Sequence, residues 1–157
     1  MQVSDTGTAV LVTAGRAQLF RYEYRPVMSP EHSPRPYLHP VRTLGGELII
    51  DASPADHPWH CGISIAVPSG SSASFWGGPT FVRDTGYVPL RNHGRVEHQR
   101  WLAQRADAEA VTLRHELAWL GPDGARGTDP ETPARSVGGA MSGYEKGSCA
   151  HPHPAAP

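Results

Sequence analysis

A chain of 157 residues with a net charge of −1 is long enough for one domain with a real core, and it offers no basic face for DNA, RNA or an anionic lipid surface. No apolar run approaches the ~20 residues of a membrane helix, and the opening MQVSDTGTAVLVTAG lacks the basic-then-apolar order of a signal peptide. The content of 38% hydrophobic and 18% charged residues is rather polar, and 16 prolines with 17 glycines imply many turns, hence an all-β protein or one with an unstructured portion.

In chain order, Thr8 to Thr13 reads as a strand and Ala14-Gly15-Arg16 as a tight turn. Ala17 to Tyr24 returns with Phe20, Tyr22 and Tyr24 on one face by the two-residue period of a strand. Pro26 to Pro36 holds four prolines and reads as an irregular loop. Tyr37 to Thr43 extends again, Leu44-Gly45-Gly46 turns, and Glu47 to Asp51 forms another short strand. Ser53 to Pro58 is a loop stiffened by Pro54 and Pro58. Cys61 to Val67 alternates, with Cys61, Ile63, Ile65 and Val67 expected in the core and Gly62, Ser64 and Ala66 on an open face with room for a ligand. Ala73 to Trp76 reads as a short strand, and Phe81 to Gly94 as a long excursion. Val96 to Ala103 is expected to turn Val96, His98, Arg100 and Leu102 to one side. Ala110 to Leu120 contains good helix formers, yet Val111, Leu113, His115, Leu117 and Trp119 make a strand stripe, and Gly121-Pro122-Asp123-Gly124 closes it with a turn.

The densest chemistry lies in Asp56-His57-Pro58-Trp59-His60-Cys61-Gly62. Three readings of it stand side by side. Asp56, His57 and His60, with His39, supply the ligand types of a two-histidine, one-carboxylate site for a divalent metal. His57 and His60 could instead serve as general acid or base, since imidazole titrates near neutrality. Or Asp56 caps the turn while an imidazole is bonded in the core. Trp59 and Trp76 offer flat faces on which a sugar could stack, or they anchor loops. Arg35 and Arg42 could bind carboxylate or hydroxyl groups, although solvated arginines are commoner. His98 and His115 read as satisfied core histidines, and Cys61 as a small buried hydrophobe. Two cysteines, Cys61 and Cys149, lack metal spacing and imply a reducing cytoplasm. His151 and His153 are weak metal bait in the tail.

The blocks LFRYEYRP, SPRPYLHPVRTLGGE, DHPWHCGI, FWGGPTFVR and GRVEHQRWL, in this order between Phe20 and Arg126, resemble the PmoA-like family, which carries the label "methane oxygenase PmoA" and has no known biochemical role. The resemblance implies a β-sandwich of the galactose-mutarotase type and a role in carbohydrate metabolism. It matches His39, Asp56, His57, His60 and His98 to the family's polar motif positions, and it puts Cys61 where the family has a basic residue. It also implies that only an N-terminal half is represented.

The expected architecture is therefore a partial antiparallel β-sandwich over residues 1–126, followed by a disordered tail over 127–157 that looks like the product of a frameshift near Arg126. Such a chain would leave the Val111–Leu120 strand at an open edge and be insoluble or molten alone. The function expected is carbohydrate-directed, sugar binding or a mutarotase-like modification, in a truncated chain inactive alone, with His57 and His60 as the catalytic candidates and Arg35, His39, Trp59, Trp76 and His98 binding a saccharide. The alternatives are a metal-dependent oxygenase or hydrolase holding its metal on Asp56, His57 and His60, and a noncatalytic binding module.

Overall fold

The computed structural model describes residues 1–68 and 73–126, together with the backbone of a strand at 137–142. Among the described residues, ten strands and a single 3-10 turn make up the regular structure. β1 (Gln2–Asp5), β2 (Ala9–Ala14), β3 (Ala17–Glu23), β4 (Tyr37–Val41) and β5 (Ile63–Ser64) form one antiparallel sheet in chain order. β6 (Thr80–Val82) and β7 (Gly86–Val88) form a separate hairpin. β8 (Arg95–Ala106), β9 (Ala110–Leu120) and β10 (Val137–Ser142) form a second antiparallel sheet with β9 in the middle.

Local chemistry accounts for the joints. β2 and β3 meet through Gly15-Arg16, where Gly15 takes φ +58°, a conformation that a two-residue hairpin turn requires and glycine adopts without strain. Between β8 and β9 the Asp107 carboxylate accepts from the backbone N–H groups of Glu109 and Ala110, at 2.8 and 2.7 Å, and so makes the turn itself. The β9 stripe is a strand, not a helix, and the turn after it forms as its residues dictate, with Leu120 bridged to Arg126.

The two sheets share one core. Val10, Val12, Phe20, Tyr24 and Val41 of the first pack with Val111 of the second, and Trp101 and Leu113 close over them. The result is all-β, with two antiparallel sheets face to face.

Several expectations need correction. β1 precedes the first strand expected; its sequence, Gln-Val-Ser-Asp, is short and mostly exposed, so it is held by backbone pairing rather than by an apolar stripe. Around Glu47–Asp51 and Ala73–Trp76 only single bridges form, Arg42 to Leu48 and Ser74 to His93. Of Cys61–Val67 only Ile63–Ser64 is strand, and Ile63, Ile65 and Val67 are exposed while Cys61 is buried. In β8 a bulge between His98 and Arg100 reverses the alternation, so that Trp101, not Arg100, joins Val96 and His98 on the inner side. Val137–Ser142 lies within the span read as disordered, yet pairs along β9 from His115 to Ala110 and gives that strand a neighbour on each side. The rest of 127–157 lies outside the described residues.

One buried polar chain crosses the core. The Tyr22 hydroxyl bonds His115 Nε2 at 2.9 Å, and His115 Nδ1 meets His98 Nδ1 at 2.8 Å. His115 is 1% exposed and stacks on Trp101 with ring centroids 5.0 Å apart. Both histidines are thus satisfied by each other, as the stripe suggested. Burial pushes the His115 pKa from its ordinary 6.5 down to about 4, and the neighbouring His98 pushes it the same way. The folded state therefore favours neutral His115, and the stability this represents is present above pH 6.5 and lost as pH falls from 6.5 towards 4. The full loss is about 3 kcal/mol. Urea midpoints of the wild type should fall over that window, and those of His115→Leu should be much flatter there. Equal slopes in the two proteins would refute the assignment.

Candidate functional site

The loop that runs from Pro30 to Pro36 is organised by Arg35, which is 4% exposed. Its guanidinium donates from Nε to Ser64 Oγ (3.1 Å), from Nη1 to the carbonyls of His32 and Ser33 (both 3.0 Å), and from Nη2 to the Trp59 carbonyl (3.0 Å). Among the described residues no carboxylate pairs with it, and burial lowers its pKa. The planar fork thus ties three separate segments, 32–35, 59 and 64, into one block. Cys61 completes the block, its thiol donating to the same Trp59 carbonyl at 3.2 Å, and burial pushes that thiol's pKa up.

A fourth segment closes on this block because it is glycine. Gly78 adopts φ +68°, and a Cβ there would stand 2.5–2.7 Å from three atoms of the Trp59 indole. Trp59 therefore lies with a ring face against the Gly78 backbone. A Cβ on Gly77 would lie 2.7 Å from the His32 carbonyl oxygen. The Gly78 N–H donates to the Glu31 carbonyl at 2.9 Å, and the Ser33 hydroxyl donates to the Ser74 carbonyl at 2.9 Å, so the contact is locked on both flanks.

These segments wall a cleft of about 640 Å³. Its apolar surface comes from Trp59, Leu90 and a run of prolines, including Pro30, Pro58, Pro79 and Pro89. Its polar groups are Glu31, His32, Arg91 and His93. His93 is fixed by its neighbours, since Ser74 N–H donates to Asn92 O and Gly94 N–H to Ser74 O, both at 2.8 Å. Its Nδ1 is buried without a hydrogen-bond partner. Burial lowers the His93 pKa; Glu31 acts to raise it and His32 to lower it, so both lie close enough to act on the His93 ring. A site of this composition, mostly apolar with a few convergent polar groups, suits a small ligand with flat apolar faces and polar edges.

Of the residues proposed in the sequence as catalytic, substrate-binding or metal-ligating, Trp59 alone lines the cleft. Asp56 and His57 pair with each other, Oδ2 to Nδ1 at 3.0 Å, on side chains 78% and 61% exposed; that bond is the main reason the Asp56 pKa is lowered. The His57 ring stands edge-on to Trp59, centroids 5.4 Å apart. His60 is exposed and engages His57 and Ser53 only through its backbone. The proposed ligand set of Asp56, His57 and His60 is thus not assembled. Among the described residues no group of three His, Cys, Asp or Glu side chains converges as a metal site. Pro58 breaks the helical phase that would have put His57 and His60 on one side. Arg35 is a buried tie with its fork largely engaged, where a solvated surface residue was the commoner expectation. His98 belongs to the core chain with His115. His39, on β4, packs against Gly62 and has its Nδ1 buried without a partner, and Trp76 is 51% exposed outside the cleft.

Glu31, His32, Arg91 and His93 were passed over in the sequence. Their only local signal is a set of ionisable side chains among prolines, Pro30-Glu31-His32 and Pro89-Leu90-Arg91-Asn92-His93, in loops that rigid proline holds in place.

A family model described as "Family of unknown function (DUF6807)" matches residues 9–132, most of the chain, and the chain belongs to that family. This corrects the resemblance to the PmoA-like family, since the family that matches is a different one. The match starts at β2 and continues past Arg126. No curated protein and no solved structure matches the chain.

Proposed function

We propose that this protein is carbohydrate-directed and binds a saccharide in the cleft beside Trp59. The observation that carries the reading is the meeting of an indole with Glu31, Arg91 and His93 in one cleft of about 640 Å³. A pyranose has apolar C–H faces and a rim of hydroxyls. The indole and prolines suit the first, and a carboxylate acceptor, a guanidinium donor and imidazoles suit the second. The depressed His93 pKa favours a neutral ring, which can both donate to and accept from hydroxyls. The proposal is binding rather than turnover, because His57 and His60, the catalytic candidates, lie outside the cleft. A cytoplasmic setting belongs to the same reading, and Cys61, buried as a free thiol, suits a reducing compartment. Among the described residues no helix is long and apolar enough to cross a membrane.

Calorimetric titration with a panel of neutral monosaccharides tests the idea. We expect saturable binding that weakens about tenfold in Trp59→Ala, the loss typical of one aromatic contact. Glu31→Gln should weaken it several-fold with an unchanged melting curve, which separates a binding role from the structural role Trp59 also has. If no sugar of the panel binds folded protein, the reading falls.

A further inference from the structure

The hairpin of β6 and β7 rises from the rim of this cleft. Pro79, just before β6, and Pro89, just after β7, are both cleft walls. The Thr80 hydroxyl donates to Asn92 Oδ1 at 3.0 Å, next to His93, which roots the hairpin in the same wall. Strand alternation then sorts its side chains. Thr80 is buried and Val82, Gly86 and Val88 are half-buried, while Phe81 and Tyr87 point outwards, 62% and 75% exposed. These two are direct cross-strand partners and touch edge to face, with centroids 5.5 Å apart.

Two large aromatic side chains held together this far exposed, with no contact among the described residues to cover them, carry an unfavourable exposure unless something binds there. Phe81 lies two residues from the cleft wall at Pro79, about 7 Å along an extended chain. An oligosaccharide of a few rings is long enough to span that distance. We propose, resting on the reading of the cleft as a sugar site, that the ligand is a chain of neutral sugars: one unit sits beside Trp59 and the next units lie on the Phe81–Tyr87 platform. The occupant is a saccharide rather than a protein because the exposed pair is small and continuous with the cleft, whereas a stable protein interface buries about 800 Å² on each side. The two rings themselves make the contact surface, so the platform selects on shape and C–H surface rather than on charge.

The test compares glucose with maltotetraose and cellotetraose, and galactose with a β-1,4-galactotetraose, on wild type and on a Phe81→Ser, Tyr87→Ser double variant by calorimetry. At least one tetrasaccharide should bind ten- to thirtyfold tighter than its monosaccharide, a gain of about one to two aromatic contacts. The double variant should lose that gain and keep the monosaccharide affinity. Because both rings are exposed, its melting curve should match that of wild type. Tetrasaccharides that bind no tighter than monosaccharides, or a gain that survives the double variant, would overturn the platform and leave the cleft reading intact. Absence of all sugar binding overturns both. Concentration-dependent self-association of wild type that vanishes in the double variant would make the platform a protein contact and overturn this proposal alone.

Discussion

Replacing Arg35 by methionine should cost about 4 kcal/mol of stability and abolish the cleft, the loss expected when a buried charge-assisted network is cut at its centre. Methionine keeps the stem and volume but supplies no donor. The carbonyls of His32, Ser33 and Trp59 and the Ser64 hydroxyl would each lose the partner they have at 3.0–3.1 Å. Water cannot reach all of them without opening the block, since Arg35 and Ser33 are 4% and 1% exposed. Lysine should recover little, because one ammonium cannot span acceptors that a planar fork meets on three sides. Urea denaturation checks the magnitude, and sugar titration checks the cleft. A cost under about 1 kcal/mol would mean the loops hold together without the guanidinium.

The second large effect is expected at Gly78. In Gly78→Val the new side chain would overlap the Trp59 indole, with its first carbon already 2.5–2.7 Å from three ring atoms, and the backbone would keep a φ of +68° that a β-branched residue strongly resists. Expelling the indole and straining the backbone should together cost about 3 to 4 kcal/mol. Tryptophan emission should shift to the red and sugar affinity should disappear. Gly86→Ala is the control. It has φ +95° but open space where its Cβ would go, so it should cost only about 1 kcal/mol of backbone strain. If the two substitutions cost the same, the close approach of Trp59 to Gly78 is not what requires glycine.

The strands were legible where one face is buried without interruption. β9 is the clearest case, because Val111, His115 and Leu117 are buried with Leu113 half-buried between them on the same face, although Ala118 and Leu120 on the other face are buried as well. Legibility failed where the backbone changes phase. Gly62 takes φ +67°, and a Cβ there would lie 2.4 Å from the Leu38 carbonyl oxygen, so the chain turns at that point. Ile63, Ile65 and Val67 then face opposite to a phase counted from Cys61. The β8 bulge moved Trp101 inwards in the same way, and nothing in the residue types announces it. The site was only partly legible for a different reason. Its walls come from 30–32, 58–59, 78–79 and 89–93, which the fold brings together across long sequence separations. A local concentration of histidines, as in 56–60, is a weaker guide than such convergence, and only Pro58 and Trp59 from that stretch, neither of its histidines, reached the cleft.

None of the core residues Val10, Val12, Phe20, Tyr24, Val41 and Val111 lines the cleft. Stability and recognition are therefore written in nearly separate alphabets of this chain. Glu31, Leu90 and Arg91 sit on loops that the sandwich and the Arg35 tie already hold in place, so they can be randomised together with little penalty to folding. A library confined to those three positions should be rich in folded members, which makes this small β scaffold a practical starting point for selecting new small-molecule specificities.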